Sequence, residues 1–158
     1  MHDNGVFALA LGIGIVAGLR SLTAPAAVSW AAHLGWLNLH GSSLAFMGST
    51  AAVVVFSVLA VGEYIADLLP TTPRRTTPGP LVARAVMGGL SGASLCASAN
   101  RSVALGVIIG AIGGVIGAFA GYESRARLVR SLNVKDRVVA VCEDVVALAL
   151  AYLMVSPQ

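Results

Sequence analysis

The chain has 158 residues, of which 57% are hydrophobic and only 11% are charged. A soluble domain carries about 25% charged residues to cover its surface, so this composition excludes a soluble enzyme, and a disordered chain would be more polar still. Two cysteines are too few for a disulfide scaffold. We therefore expect a single integral membrane domain over residues 1–158, with the lipid bilayer as its partner and no nucleic acid.

Uncharged stretches predict the helices in chain order. A spanning helix needs about 20 apolar residues, and the predicted membrane helices cover about 5–20, 44–67, 81–99, 102–121 and 138–155. The segment 22–43 is ambiguous, because a helix over 24–37 would be about 21 Å long. That is shorter than the ~30 Å hydrocarbon core. The segment therefore has three possible arrangements: it lies at the interface, forms a short re-entrant helix or forms a short spanning helix. The fold class is an all-α polytopic transmembrane bundle with five or six membrane helices.

The distribution of Lys and Arg predicts the orientation. The connections 69–80 and 122–137 are the basic ones, and two helices separate them, so we place both in the cytoplasm. Five helices would put the N-terminus inside. Six helices would put it outside and place Arg20 on the cytoplasmic side with the other bases, which fits the charge bias slightly better.

Two pairs of acids are the strongest candidates for a polar site. Glu63 and Asp67 are four residues apart, so they lie on one face of their helix. Glu143 and Asp144 lie about two turns inside the last helix, but neighbouring residues point about 100° apart, so we do not expect both to face one site. An ionisable residue at membrane depth is a functional candidate; the alternative is a boundary position with a basic partner.

The bases Arg20 and Arg84 are positioned to form ion pairs with these acids. In the six-helix topology they gather at one membrane face with the acids, and buried charges there should be paired. The first hypothesis is a polar site for an ion or small charged solute in a small transporter or channel-like protein. The alternative is a structural ion-pair network in a non-transport scaffold or an anionic-lipid-binding protein.

A stiff, basic loop precedes the helix predicted at 81–99. It contains four prolines between positions 70 and 80, together with Arg74 and Arg75. Arginine forks and a following helix N-terminus favour phosphate, so these two arginines are candidates for binding an anionic lipid headgroup. The alternative is an ordinary positive anchor on the cytoplasmic side.

Five glycines form a stripe along one face of the helix predicted at 102–121: Gly106, Gly110, Gly113, Gly117 and Gly121. Small residues in such a stripe let helix backbones approach closely in lipid. The pattern predicts tight helix packing and favours a homo-oligomer, although the partner helix can belong to the same chain or to another copy.

No motif indicates catalysis. The histidines are scattered without metal-ligand spacing, and there is no phosphate-binding glycine loop or nucleophile elbow. We expect no enzyme activity, no metal and no cofactor.

The chain resembles a bacterial membrane-protein family, domain of unknown function 4126. The motifs that carry the resemblance are Gly18-Leu19-Arg20, Glu63-x-x-x-Asp67-x-x-Pro70, Pro73-Arg74 to Pro80-Leu81-x-x-Arg84, Gly121-x-x-x-Arg125 and Glu143-Asp144. The resemblance covers nearly the whole chain. It implies a small multi-pass protein of the bacterial cytoplasmic (inner) membrane and brings no established activity or substrate.

Overall fold

The computed structural model describes residues 3–67, 76–132 and 136–157, which form six α-helices and no strand. The helices are α1 (Asp3–Leu19), α2 (Thr23–His33), α3 (Thr50–Ala66), α4 (Pro78–Ser98), α5 (Val103–Leu132) and α6 (Asp136–Val155), with a 3₁₀ turn at Ala45–Gly48. The prediction of an all-α bundle with five or six helices is confirmed. Within the described residues, three helices are long and apolar enough to span a membrane: Pro78–Ser98, Val103–Arg130 and Val138–Val155. Shorter apolar helices cover Gly5–Leu19 and Thr50–Ala66.

The helices alternate in direction through the bundle. Arg20 at the end of α1 contacts Asp67 at the end of α3 and Asp144 in the first half of α6, which defines a charged end of the bundle. At the opposite end, His33 at the end of α2 contacts Gly48 before α3. The chain therefore passes from the charged end to the opposite end between α1 and α3, so these two helices run in the same direction.

The segment 22–43 contains a shorter helix than the predicted 24–37. Helix α2 has 11 residues, about 16 Å at 1.5 Å per residue, which is shorter than the ~30 Å hydrocarbon core. The helix stops at His33 because Gly35 adopts a left-handed φ of 78°. The Trp36 amide then donates to the Ala31 carbonyl at 2.8 Å, the closing bond of a Schellman motif.

Three other helix boundaries also differ from the prediction. Helix α3 starts at Thr50 rather than 44, because the 3₁₀ turn comes first and the Ser49 hydroxyl then accepts from the Ala52 amide. Helix α4 starts at Pro78 rather than 81, with proline in its first turn as helices prefer. Most of the predicted loop 122–137 is helix, because α5 continues to Leu132 through residues with good helix propensity.

Helices α1, α4 and α5 form the tightly packed centre, since they make the most extensive contacts with one another. Glycines explain the close approach. A Cβ added to Gly18 of α1 would lie 2.5 Å from the Gly114 carbonyl oxygen of α5, and one added to Gly114 would lie 2.5 Å from the Arg84 carbonyl oxygen of α4. Helix α2 packs beside this centre and contacts α1, α3, α4 and α6.

Candidate functional site

A cluster of charged side chains lies at the charged end of the bundle, formed by Arg20 at the end of α1 and by residues of α3, α4, α5 and α6. We call it the charged cluster; its members are Arg20, Glu63, Asp67, Arg84, Arg125, Glu143 and Asp144. All six side chains that the sequence predicted for an ion or solute site belong to it. Because these positions are spread from residue 20 to residue 144, only the tertiary fold brings them together.

Arg20 occupies the centre of the cluster and is 1% exposed. It follows the last residue of α1, and its Nε donates to Asp144 Oδ1 at 2.6 Å. Its guanidinium also forms ion pairs with Asp67 and Asp144 and lies 5.0 Å from the ring centroid of Tyr64, a cation–π contact. One buried cation therefore joins α1, α3 and α6.

Glu63 binds the start of α2. Its Oε1 accepts from the Ser21 amide at 2.9 Å and from the Ser21 hydroxyl at 2.7 Å, and its Oε2 accepts from the Leu22 amide at 2.9 Å. Leu22 is the residue before α2 and offers no side-chain cap. The carboxylate therefore satisfies amides that α2 cannot bond internally, and its negative charge suits the positive end of the helix dipole.

Arg84 binds the end of α1. Its Nε donates to the Gly18 carbonyl at 2.9 Å, and its Nη2 lies 3.8 Å from Glu63 Oε1. Arg84 is 5% exposed, so this charge is also buried. Cations favour the carbonyl end of a helix, and the two side chains together cover both sides of the break between α1 and α2.

Glu143 and Asp144 face different helices, in keeping with their predicted angular separation. Asp144 binds Arg20 of α1, whereas Glu143 Oε2 lies 3.9 Å from Arg125 Nη1 of α5. A cavity of about 230 Å³ beside Arg125 and Glu143 is lined mainly by apolar side chains. The two neighbouring acids thus connect α6 to two other helices instead of forming a single dicarboxylate site.

The predicted glycine stripe divides between two partner helices of the same chain. Gly106 lies against α4, Gly113 and Gly117 lie against α1, and Gly110 contacts both helices. Gly121 is buried in the same helix. Gly114, which the stripe omitted, also contacts α4. These contacts lie within the chain, so the stripe is occupied without a second copy.

The sequence reasoning missed two side chains of the site, Tyr64 and Thr23. Tyr64 lies beside Arg20, and its hydroxyl is 2.8 Å from the Thr23 hydroxyl of α2. Its position next to Glu63 was the available signal.

The predicted headgroup residues Arg74 and Arg75 lie outside the described residues.

The described part of the cluster pairs four carboxylates with three guanidinium groups. No buried side-chain nitrogen or oxygen among the described residues lacks a hydrogen-bond partner. The searched residues contain no group of three His, Cys, Asp or Glu side chains that could hold a metal ion. The arrangement can fix helices relative to one another, and it holds two buried guanidinium groups at a break between two helices.

Apolar helices that alternate through a bundle, with glycine contacts at its centre, define a polytopic α-helical membrane protein. The family described as "Domain of unknown function (DUF4126)" matches residues 7–156. The chain belongs to this family, as its motifs predicted. No curated protein and no solved structure matches it.

Proposed function

We propose that the protein is a non-enzymatic membrane scaffold in which the charged cluster is a structural ion-pair network. One observation carries the proposal: the two buried arginines and their acids bind one another and the two helix ends at the α1–α2 break. A solute site needs ligands that are available to the solute. Both oxygens of Glu63 are instead used by backbone amides, and Asp67 and Asp144 both bind Arg20.

The energetics of buried charges favour the same proposal. An uncompensated ion in a low-dielectric interior costs several kcal/mol, so Arg20 is tolerated only with its carboxylates in place. A buried ion pair adds little net stability compared with an apolar replacement, although it can specify a single arrangement of helices. We infer that the network selects the broken α1–α2 geometry over a continuous helix.

Two glutamine variants test the proposal, and a third glutamine variant serves as their control. Glu63→Gln and Glu143→Gln are made with Glu123→Gln as the control, because Glu123 forms a solvent-exposed pair with Arg127 and is 57% exposed. The measurements are thermal unfolding in detergent, and proton and potassium flux in proteoliposomes.

A structural network predicts a lower unfolding temperature for the Glu63 and Glu143 variants, wild-type stability for the control, and no flux above empty vesicles for any of them. Flux in the wild type that disappears in the folded Glu63 and Glu143 variants would replace the scaffold with a transporter.

Transport of an ion or small charged solute is the second candidate, and a cavity at the opposite end of the bundle favours it. This mouth cavity, of about 520 Å³, is lined by Ser98 and Arg101 together with apolar side chains of α1 and α6. Ion pairs at one end and a cavity at the other resemble one state of an alternating-access protein. The flux assay separates the two candidates directly.

The location and partners form part of the same proposal. We propose that the charged end faces the cytoplasm of a bacterial cell, since the predicted cytoplasmic connections are basic. We also propose that Arg74 and Arg75 contact anionic headgroups there, and the variant with both changed to alanine tests this by its binding to phosphatidylglycerol vesicles. A homo-oligomer stays a prediction, to be tested by light scattering of the purified protein.

A further inference from the structure

A groove runs along the side of the bundle between α3 and α6, with α2 as its floor. Its volume is about 440 Å³. One face of each helix lines it, for example Ala27 and Trp30 of α2, Ala60 and Tyr64 of α3, and Tyr152 of α6. The groove exists because the floor is rich in alanine, so α2 leaves space that larger side chains would fill.

The groove has the length and surroundings of a lipid-chain site. Helix α2 extends about 16 Å, which is close to half of the ~30 Å hydrocarbon core. One acyl chain covers this same half of the core. The flanking helices α3 and α6 are apolar. Side chains at the groove edge are exposed, with Trp30 at 48% and Tyr152 at 58%, so the groove opens sideways toward lipid.

A positive charge lies beyond one end of the groove. The mouth cavity adjoins the groove, since Trp36 and Val155 line both. Arg101 and Ser98 line the mouth cavity. Trp36 packs edge-on against Tyr152 with ring centroids 6.0 Å apart, and such aromatic residues mark the membrane interface. The apolar groove therefore leads to the mouth cavity, which carries a basic and a hydroxyl side chain and lies at the level of the membrane interface.

We propose that this groove and the mouth cavity together bind one anionic phospholipid. An acyl chain occupies the groove along α2, and the phosphate lies beside Arg101, whose guanidinium suits phosphate oxygens. The charge is what selects an anionic lipid over a zwitterionic one. The groove meets the charged cluster through Tyr64, which lines the groove and lies beside Arg20. The proposed phosphate position is in the mouth cavity at the opposite end of the bundle, so the lipid proposal does not depend on the proposed scaffold function.

The natural tryptophans supply the assay. The chain has two tryptophans, and both line the groove. Phosphatidylglycerol with brominated acyl chains is titrated into the detergent-solubilised protein, and brominated phosphatidylcholine with the same chains serves as the comparison. We expect saturable quenching of tryptophan fluorescence at one phosphatidylglycerol per protein, with phosphatidylcholine needing about fivefold higher concentration.

Three kinds of variant assign the parts of the site. Ala27→Phe fills the groove from α2 and Ala60→Leu fills it from α3, and each should abolish the saturable phase. Ala120→Phe places the same phenylalanine on an exposed position of α5 and should titrate as the wild type. Arg101→Gln should keep saturable quenching but make the two lipids equivalent.

Each result decides a part of the proposal. Wild-type titration by both folded groove variants would overturn the acyl-chain site. Equal affinity of the wild type for the two lipids, or an unchanged phosphatidylglycerol preference in Arg101→Gln, would overturn the headgroup assignment. If changing Arg74 and Arg75 to alanine removes that preference instead, the headgroup binds those arginines and the proposal is wrong.

Discussion

Replacing Arg20 with methionine is the most direct perturbation of the charged cluster. Methionine keeps much of the length of the side chain and removes the charge. Asp67 and Asp144 then face each other without the guanidinium that each of them binds, and the cation–π contact with Tyr64 is lost.

The expected loss follows from the burial of this group. Arg20 is 1% exposed, and removing one partner of a buried ion pair costs about 3–5 kcal/mol. For a chain of this length, 1 kcal/mol shifts the unfolding temperature by about 2–4 °C. The Arg20→Met variant should therefore unfold about 6–20 °C below the wild type.

The assay is thermal unfolding of the purified protein in detergent, followed by circular dichroism. Arg127→Met is the matched control, because the Arg127 side chain is 76% exposed in its pair with Glu123 and an exposed pair contributes at most about 1 kcal/mol. A triple variant with Arg20→Met, Asp67→Asn and Asp144→Asn should regain most of the lost stability, since no uncompensated carboxylate remains. Equal stability of the Arg20→Met and Arg127→Met variants would refute the reasoning.

Three further predictions concern the helices and their orientation. Gly114→Ala should cost about 1–3 kcal/mol in unfolding free energy, because its Cβ would meet a backbone carbonyl of α4, whereas Gly62→Ala, with open space around it, should cost nothing; equal thermal stability of the two variants would contradict the packing. Ser49→Ala should cost about 1 kcal/mol by removing the cap of α3, and chemical denaturation that shows no change would exclude that role. In a background without native cysteines, an impermeant maleimide applied to intact cells should label a cysteine replacing Ser156 but not one replacing Thr76, and the reverse pattern would invert the topology.

Much of the fold could be predicted because the charges are so few. Long uncharged stretches show the membrane helices directly, and the acids and bases mark their ends. The boundaries were harder, since they depend on local backbone conformations. Gly35 and Asn100 both adopt left-handed φ values at helix ends. Glycine is a recognisable stop signal, but the apolar residues around Gly35 favoured a longer helix.

The identity of the cluster members could be predicted, but their pairing could not. Spacing placed Glu63 and Asp67 on one helix face, which suggested a common ligand. In the structure, Glu63 binds the backbone at the start of α2 and Asp67 binds Arg20. These partners lie more than 40 residues away in sequence, and periodicity along one helix carries no information about them.

The glycine stripe shows a similar limit. Its spacing correctly identifies α5 as a helix with close neighbours, but two neighbours use the same helix. Gly113 and Gly117 face α1, while Gly110 and Gly114 contact both α4 and α1. A single stripe could not reveal this division, because positions three and four apart share a broad face that two adjacent helices can divide between them.

The break between α1 and α2 helps to explain why four of the seven acids of the chain lie in the charged cluster. Where two helices meet end to end, carbonyls with partial negative charge and amides with partial positive charge lie close together without internal partners. A base at the carbonyls and an acid at the amides satisfy both, which is the arrangement of Arg84 and Glu63. Arg20 at the break adds a cation that needs carboxylates of its own, supplied by α3 and α6. The backbone geometry at this one break thus accounts for Glu63 and Arg84, and the buried charge of Arg20 accounts for Asp67 and Asp144.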